Sequence, residues 1–176
     1  MGRNKKTVKF DTVKLSRLSL EEKLKIFSDY NELFHYELSK IPYSEIKIGK
    51  EIKLKAELVA KKYYKDKGYN VYQSKVNDGY RSLGALFYWL DHISKLTSND
   101  IEMISKISSI LNREEMKELA YAIKDKNGTP DLLLIKENKL SFVEVKYNYE
   151  TIKPATIEFY IKYNQKWPIS ILRVFK

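Results

Sequence analysis

Residues 128–146 constrain the fold of this chain more than any other stretch. They read G-T-P-D-L-L-L-I-K-E-N-K-L-S-F-V-E-V-K, which is two short apolar runs around a polar turn at residues 137–139. Branched and aromatic residues in such runs predict a β-hairpin. Because the first strand of a hairpin starts beside the end of the second, Asp131 and Glu144 are expected to meet.

Two carboxylates held close together repel each other unless a cation compensates their charge. A hard divalent ion such as Mg²⁺ takes oxygen ligands and keeps several waters, so two carboxylates are enough to hold it. Glu144 and Lys146 are two residues apart on a strand and should share a face, which places an ammonium group beside any bound phosphate. The pattern indicates phosphodiester hydrolysis. The alternative is an ordinary hairpin with solvent-facing acids and lysine, and the D…ExK spacing alone does not exclude it.

Length and composition predict one domain outside the membrane. The chain has 176 residues, of which 43% are hydrophobic, and no cysteine. Such a chain can bury a sizeable core, and the lack of cysteine excludes disulfides and thiolate metal sites. No apolar run approaches the roughly 18 residues of a membrane span, and no apolar segment follows the basic N-terminus. We therefore expect a soluble intracellular protein, in cytoplasm or nucleoid, with viral or plasmid origin left open.

The net charge of +10 predicts attraction to polyanions. Most of the basic residues are lysine, which suits phosphate contacts better than base reading. Nucleic-acid binding without strong sequence readout is expected, although a generally lysine-rich composition explains the charge equally well. The candidate nucleic-acid contacts are Lys53, Lys61, Arg81 and Lys153.

Residues 1–49 are expected to form a basic arm followed by a helix that starts at Ser19 and ends near Pro42. A second helix is predicted over 50–67, ending at Gly68, and a strand over 69–74. Helices at 83–96, from about Ser98, and from Asn112 then form an insertion over about 79–126. After the hairpin, the pattern predicts a helix over 153–164, with Pro154 in its first turn, and a strand over 169–175.

The second helix carries Glu57 at the margin of its apolar stripe. This acid is a candidate third metal carboxylate. The equally weighted alternative is a surface glutamate that pairs with Lys53 or Lys61 at helical spacing.

The order helix, strand, strand, strand, helix, strand predicts an α/β fold, with a mixed sheet flanked by helices.

These elements fill residues 50–176, and the residues that carry chemistry resemble the PD-(D/E)xK nuclease superfamily. In detail they resemble its VRR-NUC (virus-type replication-repair nuclease) branch, and the resemblance extends to the catalytic domain of the Fanconi-associated nuclease. The matching positions are Gly128, Pro130, Asp131, Leu132, Val143, Glu144, Val145 and Lys146, and upstream Glu57, Tyr63, Tyr64, Gly68, Tyr69, Leu86, Phe87, Trp89, Leu90 and Asp91. The chain departs from the usual pattern at Tyr147, Glu150 and Thr156, where the family has glycine, aspartate and glutamine.

The resemblance implies a restriction-endonuclease-like fold and metal-dependent hydrolysis of branched DNA in repair, recombination or replication. The implied ligands of one or two Mg²⁺ or Mn²⁺ ions are Glu57, Asp131, Glu144 and the Val145 carbonyl. Lys146 would position the attacking water or offset charge on the phosphate, so the implied catalytic residues are Glu57, Asp131, Glu144 and Lys146.

The resemblance leaves the substrate and the assembly open. Short members of the family resemble homodimeric Holliday-junction resolvases, and members with a helical insertion resemble monomeric flap nucleases. An exonuclease, a restriction-type nuclease and a non-catalytic nucleic-acid-binding module are the alternative functions.

Overall fold

The computed structural model describes residue 19 and residues 38–48, 55–74, 96–124 and 128–175. The chain forms a five-stranded mixed sheet flanked by helices in these ranges, which confirms the predicted α/β class. None of the described helices is both long and apolar enough to cross a membrane. The strands are β1 (Tyr43–Lys47), β2 (Asn70–Gln73), β3 (Leu132–Lys136), β4 (Lys139–Tyr147) and β5 (Ile169–Phe175), and the helices are α1 (Ala56–Asp66), α2 (Ser98–Ser108), α3 (Arg113–Lys124) and α4 (Pro154–Tyr163).

The strand order is β1-β5-β4-β3-β2, so β4 is the central strand. β3 pairs antiparallel with both β2 and β4. β5 pairs parallel with β4 and with β1. A parallel pair cannot be closed by a tight turn, and α4 forms the crossover between β4 and β5.

β3 and β4 form the predicted hairpin. Their register runs from Leu132 opposite Val143 to Lys136 opposite Lys139, which leaves a two-residue turn. The turn residues Glu137 and Asn138 have φ values of 51° and 57°. Positive φ at both positions is the type I′ geometry that fits the twist of two antiparallel strands. Lys139 belongs to β4, so the turn is one residue shorter than predicted.

The two faces of the sheet are covered by different helices. Ala60 and Tyr64 of α1 pack on one face, here named the α1 face. Residues of α2, α3 and α4 pack on the other, named the α4 face. Because successive side chains of a strand alternate between faces, β4 is apolar towards both. Its buried apolar residues are Val143 and Val145 on the α1 face, and Leu140 and Phe142 on the α4 face.

Helices α2 and α3 start where the capping patterns place them. Thr97 and Asp100 form a reciprocal capping box before α2. Asn112 and Glu115 do the same before α3, since each backbone N–H donates to the side chain of the other, at 2.9 and 3.0 Å. The predicted helix over 83–96 lies almost wholly outside the described residues. The same holds for the N-terminal helix, of which only residues 38–40 are described as helical.

α1 ends as predicted before Gly68, whose φ of +82° suits glycine at the end of a helix. β2 follows within the predicted range. Residues 49–54, where this helix was expected to start, lie outside the described part of the chain. α4 and β5 match their predictions, with Pro154 in the first turn of α4.

β1 is a strand that the sequence analysis missed. It lies within residues 1–49, which were assigned to a basic arm and a helix, and it pairs with β5 at the edge of the sheet. Four of its five residues are exposed and Ile46 is half-buried. An edge strand with so little apolar surface lacks the hydrophobic alternation by which strands are recognised. The sheet therefore starts before residue 50.

Gly128 lies directly against the first turn of α4. A Cβ atom at this position would lie 2.2 Å from the carbonyl oxygen of Ala155. Residues 128–130 are all buried. The glycine thus allows the segment leading to Asp131 to pack against the backbone of α4.

We expect Gly128→Ala to lower the free energy of unfolding by about 1–3 kcal/mol, because the added methyl group forces α4 away from the segment before β3. Urea denaturation would measure this change. Gly68→Asn is the matched control, since a Cβ added at Gly68 would meet no atom within 4 Å and asparagine tolerates a positive φ. An unchanged urea midpoint for Gly128→Ala would contradict the packing described here.

We also expect the double change Glu137→Asn with Asn138→Gly to stabilise the protein by about 1 kcal/mol, because Asn-Gly is the preferred type I′ pair and glutamate is disfavoured at positive φ. Thermal unfolding would measure the gain. Asn138→Val should have the opposite effect, since branched side chains are strained at positive φ. A lower melting temperature for the Asn-Gly variant would argue against the turn geometry.

Candidate active site

Glu144 and Lys146 form a buried ion pair on β4. Lys146 Nζ lies 2.7 Å from Glu144 Oε1, and Lys146 and Glu144 are 7% and 2% exposed. Both lie on the α4 face, since they alternate with Val143 and Val145 of the α1 face. The shared face is therefore confirmed. Their burial rules out the alternative of an ordinary hairpin with these side chains in solvent.

Asp131 lies beside this pair. It comes one residue before the register pair of Leu132 with Val143, so it stands opposite Glu144 across the hairpin. Its Oδ2 accepts a hydrogen bond of 2.8 Å from the backbone N–H of Val145. The carboxylate is therefore held against the backbone between Glu144 and Lys146. This is the meeting of the two acids that the hairpin predicts.

Arg173 extends the charged row across the sheet. It pairs with Lys146 in the β4–β5 register, and Glu45 of β1 pairs with Arg173 on its other side. Arg173 Nε donates to the hydroxyl oxygen of Tyr43 at 3.1 Å. Side chains of paired residues lie on the same face. Lys146, Arg173 and Glu45 therefore form a row of charged side chains on the α4 face, here named the charged row, which reaches the edge of the sheet.

This row was not predicted from the sequence, although the sequence contains one indirect signal for it. Arg173 interrupts the apolar run of β5 on one face, as Glu144 and Lys146 interrupt that of β4. Two interrupted strands that pair with each other place their polar residues together. The pairing of β5 with β1 could not be inferred, because β1 itself was not recognised.

Glu57 is half-buried in the first turn of α1. The C-terminal end of α1 lies near the hairpin turn, since Lys136 Nζ donates to the Lys67 carbonyl at 3.0 Å. Glu57 therefore lies towards the Asp131 end of the sheet, but on a helix that packs on the α1 face. Within the described ranges, no three acidic, histidine or cysteine side chains are grouped closely enough to hold a metal ion. The role of Glu57 as a third ligand stays a prediction.

The predicted nucleic-acid contacts are only partly described. Lys61 is half-buried on α1, and its pKa is lowered by burial and then by the charge of Lys65. Lys153 is exposed at the N-cap of α4, within one turn of the contact of Ala155 with Gly128. Lys53 and Arg81 lie outside the described residues. The role of all four residues in binding stays a prediction.

The donor atoms of Asp131 and Glu144 fit a hard divalent cation. Glu144 lies on β4 and Asp131 lies directly before β3, and Mg²⁺ is commonly held by one or two carboxylates together with waters and substrate phosphate. Lys146 balances one of the two negative charges of Asp131 and Glu144 when no phosphate is present. These donor atoms are chemically suited to Mg²⁺ or Mn²⁺. Binding of either ion stays a prediction, and so does the role of the Val145 carbonyl as a ligand.

Tyr147 and Thr156 are two of the positions that depart from the pattern of the nuclease superfamily that the sequence resembles. Tyr147 ends β4, and its backbone N–H donates to Glu150 Oε2 at 3.0 Å. Thr156 is buried in α4. The loop that follows Lys146 is therefore closed by its own side chain and backbone.

Comparison with known proteins identifies the fold. No protein-family model and no curated protein matches the chain. The crystal structure of paFAN1 bound to DNA with a 2-nucleotide 5′ flap and a gap is similar, with a TM-score of 0.52 and 12% identity over 78% of this chain and 38% of that chain. The complex with a 1-nucleotide flap gives a TM-score of 0.50 and 13% identity over 92% and 44%. The chain spans less than half of these structures, and its mixed five-stranded sheet with flanking helices is similar in fold to the part of paFAN1 that it matches.

Proposed function

We propose that this chain is a metal-dependent, structure-selective endonuclease that hydrolyses phosphodiester bonds in branched DNA. The observation that carries the proposal is the buried Glu144–Lys146 pair with the Asp131 carboxylate beside it. Neither a folded core nor a simple binding surface needs two acids and an ammonium group in this position. We expect an intracellular place of action, because branched DNA forms during replication, recombination and repair.

The residues have separate roles in this reaction. Asp131 and Glu144 provide the oxygen ligands, and the Val145 N–H fixes the orientation of Asp131. When bound, Mg²⁺ or Mn²⁺ supplies a Lewis acid for the phosphate and lowers the pKa of a water. Lys146 offsets the negative charge that develops on the phosphate, or positions the water for attack. Because Lys146 is already held by Glu144 at 2.7 Å, it needs little reorganisation when a phosphate arrives.

DNA binding is expected to depend on the lysine-rich surface. Lys153 is exposed beside the segment that leads to Asp131, where it can contact a phosphate next to the scissile one. Lys53, Lys61 and Arg81 are the further proposed contacts. The paFAN1 structures contain DNA with a 5′ flap, which favours a flap over a Holliday junction as the substrate. A flap does not require the symmetry of a homodimer.

The rival function is a nucleic-acid-binding module without catalytic activity. The net charge of +10 favours it as much as it favours a nuclease. Cleavage of labelled linear, flap and four-way-junction DNA, with Mg²⁺ and with EDTA, separates the two. The same panel separates an endonuclease from an exonuclease, which degrades from ends, and from a restriction-type enzyme, which cuts linear duplex at particular sequences.

We expect Asp131→Asn to reduce flap cleavage at least about 100-fold while DNA binding is retained. Asparagine keeps an oxygen that can accept the Val145 N–H, so the hairpin should remain folded, but it removes the charge that holds the metal ion. The measurement is single-turnover cleavage in Mg²⁺. Asp131→Asn is a cleaner test than Lys146→Ala, because loss of Lys146 leaves Glu144 buried without its cation at a cost of about 3–5 kcal/mol.

Asp66→Asn is the matched control for this variant, since Asp66 is an exposed acid at the end of α1. It makes the same change of charge and should cleave as the wild type does. Cleavage by Asp131→Asn at the rate of Asp66→Asn would refute the proposed site.

Glu57→Gln tests how many carboxylates hold the ion. Because α1 packs on the α1 face while Glu144 lies on the α4 face, we expect this variant to weaken Mn²⁺ binding less than Asp131→Asn does. Isothermal titration with Mn²⁺ measures both. Equal losses of affinity would establish Glu57 as a full ligand and contradict the two-carboxylate site.

A further inference from the structure

The loop after β4 begins two residues beyond Lys146, at Asn148, and is closed by backbone and side-chain hydrogen bonds. The backbone N–H of Tyr147 donates to Glu150 Oε2, and the backbone N–H of Glu150 donates to the Tyr147 carbonyl, both at 3.0 Å. Asn148 between them has a φ of 46°, and its N–H donates to the Val174 carbonyl at 2.9 Å. The loop is therefore a closed turn that continues the pairing of β4 with β5.

Arg173 ties this loop to the charged row of the sheet. Its Nη1 donates to the carbonyl oxygens of Asn148 and Glu150, the latter at 3.0 Å. Arg173 is also the register partner of Lys146. The position of the loop relative to Lys146 is thus set by a rigid, always-charged group with several donors.

Tyr149 is the large hydrophobic residue that this loop exposes. It is 89% exposed, and its ring touches Phe175 edge to face, with centroids 5.9 Å apart and planes at 71°. Phe175 alternates with Val174 and so shares the α4 face with Arg173 and Lys146. An exposed aromatic ring with an open face therefore lies beside the charged row, next to a residue two positions along β5 from Arg173.

We propose that Tyr149 stacks against an unpaired base of the DNA strand whose phosphate lies at Lys146. This inference rests on the proposed function and adds to it the recognition of a single-stranded nucleotide beside the site. Aromatic rings stack with any base and contribute most where bases are unpaired, as in a flap. Phe175 supports the ring from one edge and leaves its face available. Fully paired DNA offers no base to this ring.

The test is binding of flap DNA that carries 2-aminopurine at the unpaired nucleotide next to the branch, measured in EDTA so that no cleavage occurs. Stacking on the wild-type protein should quench the fluorescence of this base. Tyr149→Ala should abolish the quenching and weaken flap binding about 5- to 100-fold, while binding of a fully paired duplex stays as in the wild type. Tyr149→Phe should keep both the quenching and the affinity, because the ring and not the hydroxyl is required.

Tyr121→Ala is the matched control, since Tyr121 is 65% exposed on α3, a helix whose Glu118 contacts Lys166 before the start of β5, whereas Tyr149 touches Phe175 at the end of β5. It should bind and quench as the wild type does. The proposal is overturned if Tyr149→Ala quenches normally, if it weakens flap and duplex binding equally, or if Tyr121→Ala has the same effect.

The two proposals can fail separately. A wild-type protein that binds and quenches the flap but cleaves nothing in Mg²⁺ would overturn the nuclease and support the stacking site. A protein that cleaves flaps while Tyr149→Ala binds them normally would support the nuclease and overturn the stacking site. Absence of any DNA binding would overturn both.

Discussion

The buried ion pair of Glu144 and Lys146 is the interaction on which the rest of the structure depends. Removing two charges from water costs on the order of several kcal/mol for each ion, and their attraction offsets this only if the geometry is fixed. β4 meets this condition as the central strand, with β3 and β5 on its two sides and apolar layers on both faces. The core thus holds two charges in one arrangement. An ion pair enclosed in this way keeps one geometry without a bound ligand.

Much of the fold could be predicted because its signals are local. The hairpin, the capping residues Asn112 and Glu115, and the glycine after α1 each act within a few residues of the chain, and the structure has all of them. β1 could not be predicted, because its pairing partner lies more than a hundred positions away and its own residues are mostly exposed. Its stability comes from backbone hydrogen bonds to β5, which leave no trace in the hydrophobic pattern.

The candidate site could likewise be predicted only where its residues are close along the chain. Asp131, Glu144 and Lys146 belong to one hairpin, so their proximity followed from strand alternation and register. Arg173 belongs to a predicted strand whose neighbours were unknown, and Tyr43 belongs to a strand that was not predicted. Their contact depends on the order of strands in the sheet. Glu57 shows the limit most directly. Its position along the helix was readable, but the face of the sheet on which that helix packs was not.

The edge position of β1 has a consequence for the order of assembly. The β3–β4 hairpin is local and closes rapidly. The pairing of β1 with β5 is slower, because it must close a loop that spans most of the chain and closing a long loop costs conformational entropy. We therefore expect the acids and Lys146 to come together early, and Tyr43 to reach Arg173 last. The same asymmetry holds in the native state, since an exposed edge strand with a single neighbour opens before the centre of the sheet does. Transient opening of β1 would loosen the anchor of the loop after β4 without disturbing the buried pair.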